Sequence, residues 1–114
     1  MKINDLLPIL SARVLTCPEK GGEEISTAYA GDMLSDVLAL GSQPDILLTG
    51  LVNPQVIRTA EMLDTACVVF LRGKVPGDSV LDLARKCGVC VLTTQLEMYA
   101  ACAALAGNGV KAAR

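Results

Sequence analysis

The sequence predicts an α/β domain of three layers, with a mostly parallel sheet covered by helices on both faces. Three observations predict it. From Asp45 onward, a short apolar run, a polar turn and a helical period follow one another three times. The three runs, Ile46 to Thr49, Cys67 to Leu71 and Val89 to Leu92, are nearly continuous in apolar character, as strands buried on both faces read. The composition is 52% hydrophobic against 19% charged, so a filled core, a covered sheet or a subunit contact must take up the apolar surface. At 114 residues the chain has the length of one domain, spanning residues 1–114.

In order along the chain, Asn4 can cap a short helix through Leu10, and Arg13 to Cys17 reads as a strand. Glu19 to Glu24 reads as an exposed turn around Gly21-Gly22. Ile25 to Ala30 is extended, and Gly31-Asp32 leads into a short helix from Met33 to Leu38 that ends near Gly41. After the first apolar run, Asn53-Pro54 places a capping side chain before a proline at the first helical position. Asp78 or Ser79 can cap the next helix, and Thr94 with Glu97 forms a capping-box pattern for the last. Val56, Ile57, Ala60 and Leu63 share one helical face, as do Val80, Leu81, Ala84 and Cys87, and both faces belong on the sheet. The last helix, Gln95 to Ala106, is small or apolar almost all round, which suits either a helix buried within the fold or a subunit contact. Gly107 and Gly109 end it.

Much chemistry is excluded. A net charge of −2 without runs of one sign gives no footprint for nucleic acid, and three aromatic residues offer little to stack bases along a strand. The acidic start and the lack of a long apolar run point to a cytoplasmic protein without a membrane segment. Histidine is absent, which removes the commonest general base and metal ligand. Gly73-Lys74 is followed by Val75 and lacks the leading glycine of a P-loop, and no strand runs into a G-x-G-x-x-G turn. Cys87-Gly88-Val89-Cys90 closes a helix and enters a strand, whereas a redox pair opens a helix; Cys17, Cys67 and Cys102 stand apart, so five free thiols are expected. No catalytic residue, metal or cofactor is assigned.

The positive signal lies at one edge. In an open parallel sheet, ligands bind beyond the carboxyl ends of the strands, near the helices that follow. Those ends carry Thr49, Gly50 and Asn53, then Arg72 and Lys74, then Thr93 and Thr94. Hydroxyls, amides and two cations together suit a small anionic or phosphate-bearing ligand. Taken singly, Asn53 and Thr94 are explained by capping, the glycines by turns and the cations by solvation; their convergence is the argument. Asp32 and Asp36 read as surface charge on a short solvated helix.

The segments from Tyr29 to Leu38, Leu48 to Met62 and Val69 to Lys74 resemble the DRTGG domain family in its short stand-alone form, over about Ile3 to Gly109. The resemblance implies a fold like the N-terminal domain of HPr kinase/phosphorylase, itself similar to that of Mur ligases, and a non-catalytic module. Family members occur appended to phosphotransacetylases and CBS-domain pyrophosphatases. Thr49-Gly50-Leu51 stands where the family has Thr-Gly-Gly, and Asp32-Met33 and Asp36-Val37 stand where it has Asp-Arg. What transfers is Thr49, Gly50 and Thr94.

The expectation is therefore a regulatory or ligand-sensing domain, a homodimer, binding a small anionic or nucleotide-like molecule. The alternative is an adaptor that docks onto a protein partner in a larger enzyme complex. A phosphoryl-transfer enzyme is the third reading, and the absent P-loop weighs against it.

Overall fold

The computed structural model describes residues 1–39 and 43–113. A 3₁₀ turn, Ile3–Asp5, leads into α1 (Leu6–Leu10), then β1 (Arg13–Thr16), a second 3₁₀ segment (Pro18–Gly22) and β2 (Thr27–Ala30). Alternation follows: α2 (Leu34–Ala39), β3 (Ile46–Thr49), α3 (Pro54–Met62), β4 (Cys67–Phe70), α4 (Asp78–Cys87), β5 (Cys90–Thr93), α5 (Met98–Gly107) and β6 (Lys111–Ala112). The expected end of α2 near Gly41 lies outside the described residues.

The sheet has six strands in the order β1-β5-β4-β3-β2-β6. β1 pairs antiparallel with β5, and every other pairing is parallel. The three apolar runs are its central strands, and all twelve of their residues are buried. Their side chains alternate between two cores, as the pleat requires. Ile46, Leu48, Cys67, Val69, Cys90 and Leu92 face the layer of α1 and α5, packed with Leu6, Leu10, Ala101 and Leu105. Leu47, Val68, Phe70 and Val91 face the layer of α2, α3 and α4, packed with Val37, Val56, Ile57, Val80 and Ala84. This is the three-layer α/β arrangement the sequence predicts. Among the described residues no helix is long and apolar enough to cross a membrane.

Local signals fare unevenly. The Asn53 side chain accepts from the Gln55 N–H at 3.0 Å and caps α3, with Pro54 at its first position, as expected. Asn4 does not cap: Asp5 accepts from the Lys2 N–H at 2.8 Å, and the Asn4 side chain instead fills the space where a Cβ on Gly21 would stand. Asp78 is the first residue of α4, whose cap position is Gly77, and neither Asp78 nor Ser79 caps it. The capping box of the last helix is also not formed. α5 begins at Met98 with Glu97 at the cap position, while Thr94 is spent elsewhere. Nor is α5 buried all round: Ala101 and Leu105 enter the core, whereas Tyr99, Ala100, Ala103 and Ala106 are exposed.

The cysteines are free, and the C-x-x-C pair is split by its setting as expected, with Cys87 ending α4 and Cys90 buried in β5. Cys90 registers against Cys67 across two parallel strands. A hydrogen bond to Cys90 and full burial push the Cys67 thiol well up. A hydrogen bond to Glu61 raises that of Cys87. Among the described residues no three His, Cys, Asp or Glu side chains gather as a metal-ligand set.

Candidate ligand-binding cleft

The chain leaves β4 into α4 on one face of the sheet and leaves β5 into α5 on the other. Such a reversal between adjacent parallel strands is where open α/β sheets form a crevice. Here that crevice is bridged by backbone. The Arg72 N–H donates to Leu96 O at 3.0 Å, and the Gly73 N–H donates to Thr94 O at 2.7 Å. The open space lies one strand over, beyond β3 and β4 and against the first turn of α5. It is a cleft of about 190 Å³ lined by Asp32, Gly50, Leu71, Arg72, Glu97, Met98 and Tyr99.

Its floor is a hydrogen-bonded cluster. Asp32 Oδ1 accepts from the Thr49 hydroxyl at 2.9 Å and from the Gly50 N–H at 2.8 Å. Thr49 in turn accepts from the Leu51 N–H at 3.1 Å, and Lys74 Nζ donates to Gly50 O at 2.7 Å. The Gly50 amide, the Thr49 hydroxyl and the nearby Arg72 and Lys74 charges hold the Asp32 carboxyl below the ordinary aspartate range, against a smaller opposing effect of burial. The Asp32 carboxylate is thus a pin joining the loop after β2 to the end of β3. Asp36, by contrast, is exposed on α2, as expected of surface charge.

Arg72 stands over this floor. Its backbone is left-handed, with φ 59°, and Gly73 follows at φ 70°. A non-glycine residue there costs of order 1–2 kcal/mol. A Cβ on Gly50 would lie 2.8 Å from Arg72 Nη2, so only glycine leaves the guanidinium room to lie across this strand end. Arg72 is exposed and makes no ion pair among the described residues.

The seven residues selected from sequence therefore divide. Gly50 and Arg72 line the cleft, whereas Thr49, fully buried, and Lys74 lie behind its floor, bonded to Asp32 and to Gly50 O respectively. Asn53 is spent capping α3. The Thr93 hydroxyl donates to Lys74 O at 2.8 Å, which braces the β4–α4 loop. The Thr94 hydroxyl, buried, donates to Leu10 O at 2.6 Å and accepts from the Leu96 N–H at 3.2 Å. Thr93 and Thr94 border a separate dent with Ser11, Arg13, Gly73 and Gln95. Five lining residues of the cleft lie outside the sequence expectation: Asp32, Leu71, Glu97, Met98 and Tyr99. Asp32, expected as surface charge, is instead bonded to Thr49 and Gly50 at the end of β3. Glu97 and Tyr99 are found only once α5 is known to start at Met98.

No family model matches the sequence, and no curated protein sequence matches it. Among solved structures, the fold is similar to that of the CBS and DRTGG domains from the regulatory region of a Clostridium perfringens pyrophosphatase, complexed there with the activator diadenosine tetraphosphate. The TM-score is 0.71 at 19% identity, over 91% of this chain and 45% of that one. This chain spans less than half of that structure, and at such identity the likeness is one of fold. The chain shares its α/β fold with part of that CBS and DRTGG region.

Proposed function

We propose that this domain is a regulatory module that senses a small phosphate-bearing anion in the cleft beyond β3 and β4, and that it carries out no reaction of its own. The observation that carries this reading is Arg72. The other polar groups of the floor satisfy one another, which leaves this guanidinium as the charged donor facing the cleft. Arg72 is exposed and makes no ion pair among the described residues, so its guanidinium is placed to meet an anion above Gly50. The N-terminus of α5 adds partial positive charge beside the Glu97 carboxylate. A regulatory role is supported by the fold shared with part of a regulatory region that is bound to a nucleotide activator.

A thermal-shift series with pyrophosphate, sugar phosphates and nucleotides tests it. A ligand at a hundred times its Kd stabilises by about 2.7 kcal/mol, or several degrees in a domain of this size. The shift should vanish in Arg72→Ala. No shift with any phosphate compound, or an equal shift in the variant, contradicts the proposal.

A second reading, a docking subunit or homodimer, is favoured by the outer side of α5. An apolar groove of about 200 Å³, lined by Ala28, Ala30, Leu48, Cys102, Leu105 and Ala106 among others, lies between that helix and the β2/β6 edge. A dimeric mass in solution that Ala106→Arg, a change at the groove's exposed wall, converts to a monomer would support it.

A further inference from the structure

We infer that the ligand of this cleft is a ribonucleotide whose base stacks on Tyr99, whose ribose hydroxyls donate to Glu97 and whose phosphate meets Arg72. This rests on the reading of the cleft as a phosphate site and names the ligand class. Tyr99 lines the cleft, yet the residue is 88% exposed. The two other aromatic rings are used within the fold: Phe70 is fully buried, and Tyr29 is half-buried with its ring against Gly31. An aromatic ring left in water at the rim of a cleft offers a flat apolar face, and stacking a base on it is worth about 1–3 kcal/mol.

Size points the same way. A cleft of about 190 Å³ is smaller than pockets that enclose whole cofactor-sized ligands, about 300 Å³ and above. It can take a phosphate and part of a sugar, which leaves a base outside the mouth, where Tyr99 stands. Charge narrows the ligand further. Asp32 and Glu97 share the cleft with Arg72, so a ligand that offers hydrogen-bond donors beside its phosphate fits the cleft better than a phosphate alone. Asp32 is occupied by Thr49 and Gly50, whereas Glu97 is exposed and makes no ion pair among the described residues. A carboxylate only accepts hydrogen bonds, and a ribose diol next to a phosphate supplies the donors it needs.

Calorimetric titration of the intact chain with ADP, 2′-deoxy-ADP and pyrophosphate tests the inference. In the unaltered protein ADP should bind at least about fivefold tighter than pyrophosphate, the least that one stacked base gives. Tyr99→Ala should narrow that difference at least about fivefold while leaving pyrophosphate affinity unchanged, and Tyr99→Phe should keep it. Glu97→Gln should narrow the preference for ADP over 2′-deoxy-ADP. Equal binding of ADP and pyrophosphate, or a ratio untouched by Tyr99→Ala, overturns the inference while Arg72-dependent pyrophosphate binding leaves the phosphate site standing. If Tyr99→Ala alters the mass in solution and not the ratio, Tyr99 belongs to a subunit contact and the inference fails. Absence of binding by all three compounds defeats both.

Discussion

At the scale of single residues, the cleft is a trade between backbone comfort and a placed charge. Arg72→Gly should relieve the left-handed strain and raise stability by up to about 1 kcal/mol in equilibrium denaturation, while abolishing phosphate binding. Gly50→Ala should do the converse. Gly50 is not in the left-handed region, so the fold should hold within about 1 kcal/mol, but the new methyl displaces the Arg72 guanidinium and should weaken binding at least about tenfold. Asp32 adds a pH signature. Its folded-state pKa is depressed, so its stabilising contribution is complete above the unfolded value near pH 4 and is lost as the pH falls through the lower folded value. Acid unfolding of Asp32→Asn should lack that component; superimposable acid profiles would show that Asp32 pins nothing. The role of Asp32 was hard to read in the sequence because its partners lie 17 and 18 residues away, on a strand end that only the sheet brings beside it. Arg72 and Gly50 were legible as a pair at one edge, but the fit of one over the other is a matter of tenths of an ångström.

At the scale of elements, each threonine and asparagine near the edge has an assigned task, and the tasks separate binding from folding. Asn53→Ala should cost about 1 kcal/mol through the lost α3 cap and leave ligand affinity unchanged. Thr94→Val should cost about 1–3 kcal/mol, because it orphans the buried Leu10 carbonyl that ties the end of α1 to the end of β5. A fall in affinity for Asn53→Ala at unchanged stability would instead return Asn53 to the site. The central strands were read almost to the residue because apolar runs bounded by turns are a two-sided burial signal. α3 was read equally well, since Asn53-Pro54 fixes both the cap and the first turn. α5 was misplaced at its start because Thr94 serves an irregular turn with its hydroxyl, and the sequence pattern of a capping box does not distinguish that use.

At the scale of the whole molecule, sheet order decides where a ligand can enter. The parallel strands run consecutively from β2 to β5, and α5 then returns across the opposite face to place β6 beside β2. That return sets the first turn of α5 against the ends of β3 and β4. No local pattern encodes it, because it depends on which edge the last, two-residue strand joins. The same architecture seals Cys67 and Cys90 between the helix layers, so native-state thiol labelling should leave both unreacted until the domain unfolds.

The central claim is a location, and backbone amide chemical shifts recorded during titration with ADP test it most directly. Saturable shifts should centre on Asp32, Gly50, Leu71, Arg72 and the first turn of α5, with none at the opposite edge near Asp45, Asp64 and Gly88. Shifts centred on that opposite edge, or on the groove beside Ala28 and Leu105, would contradict it.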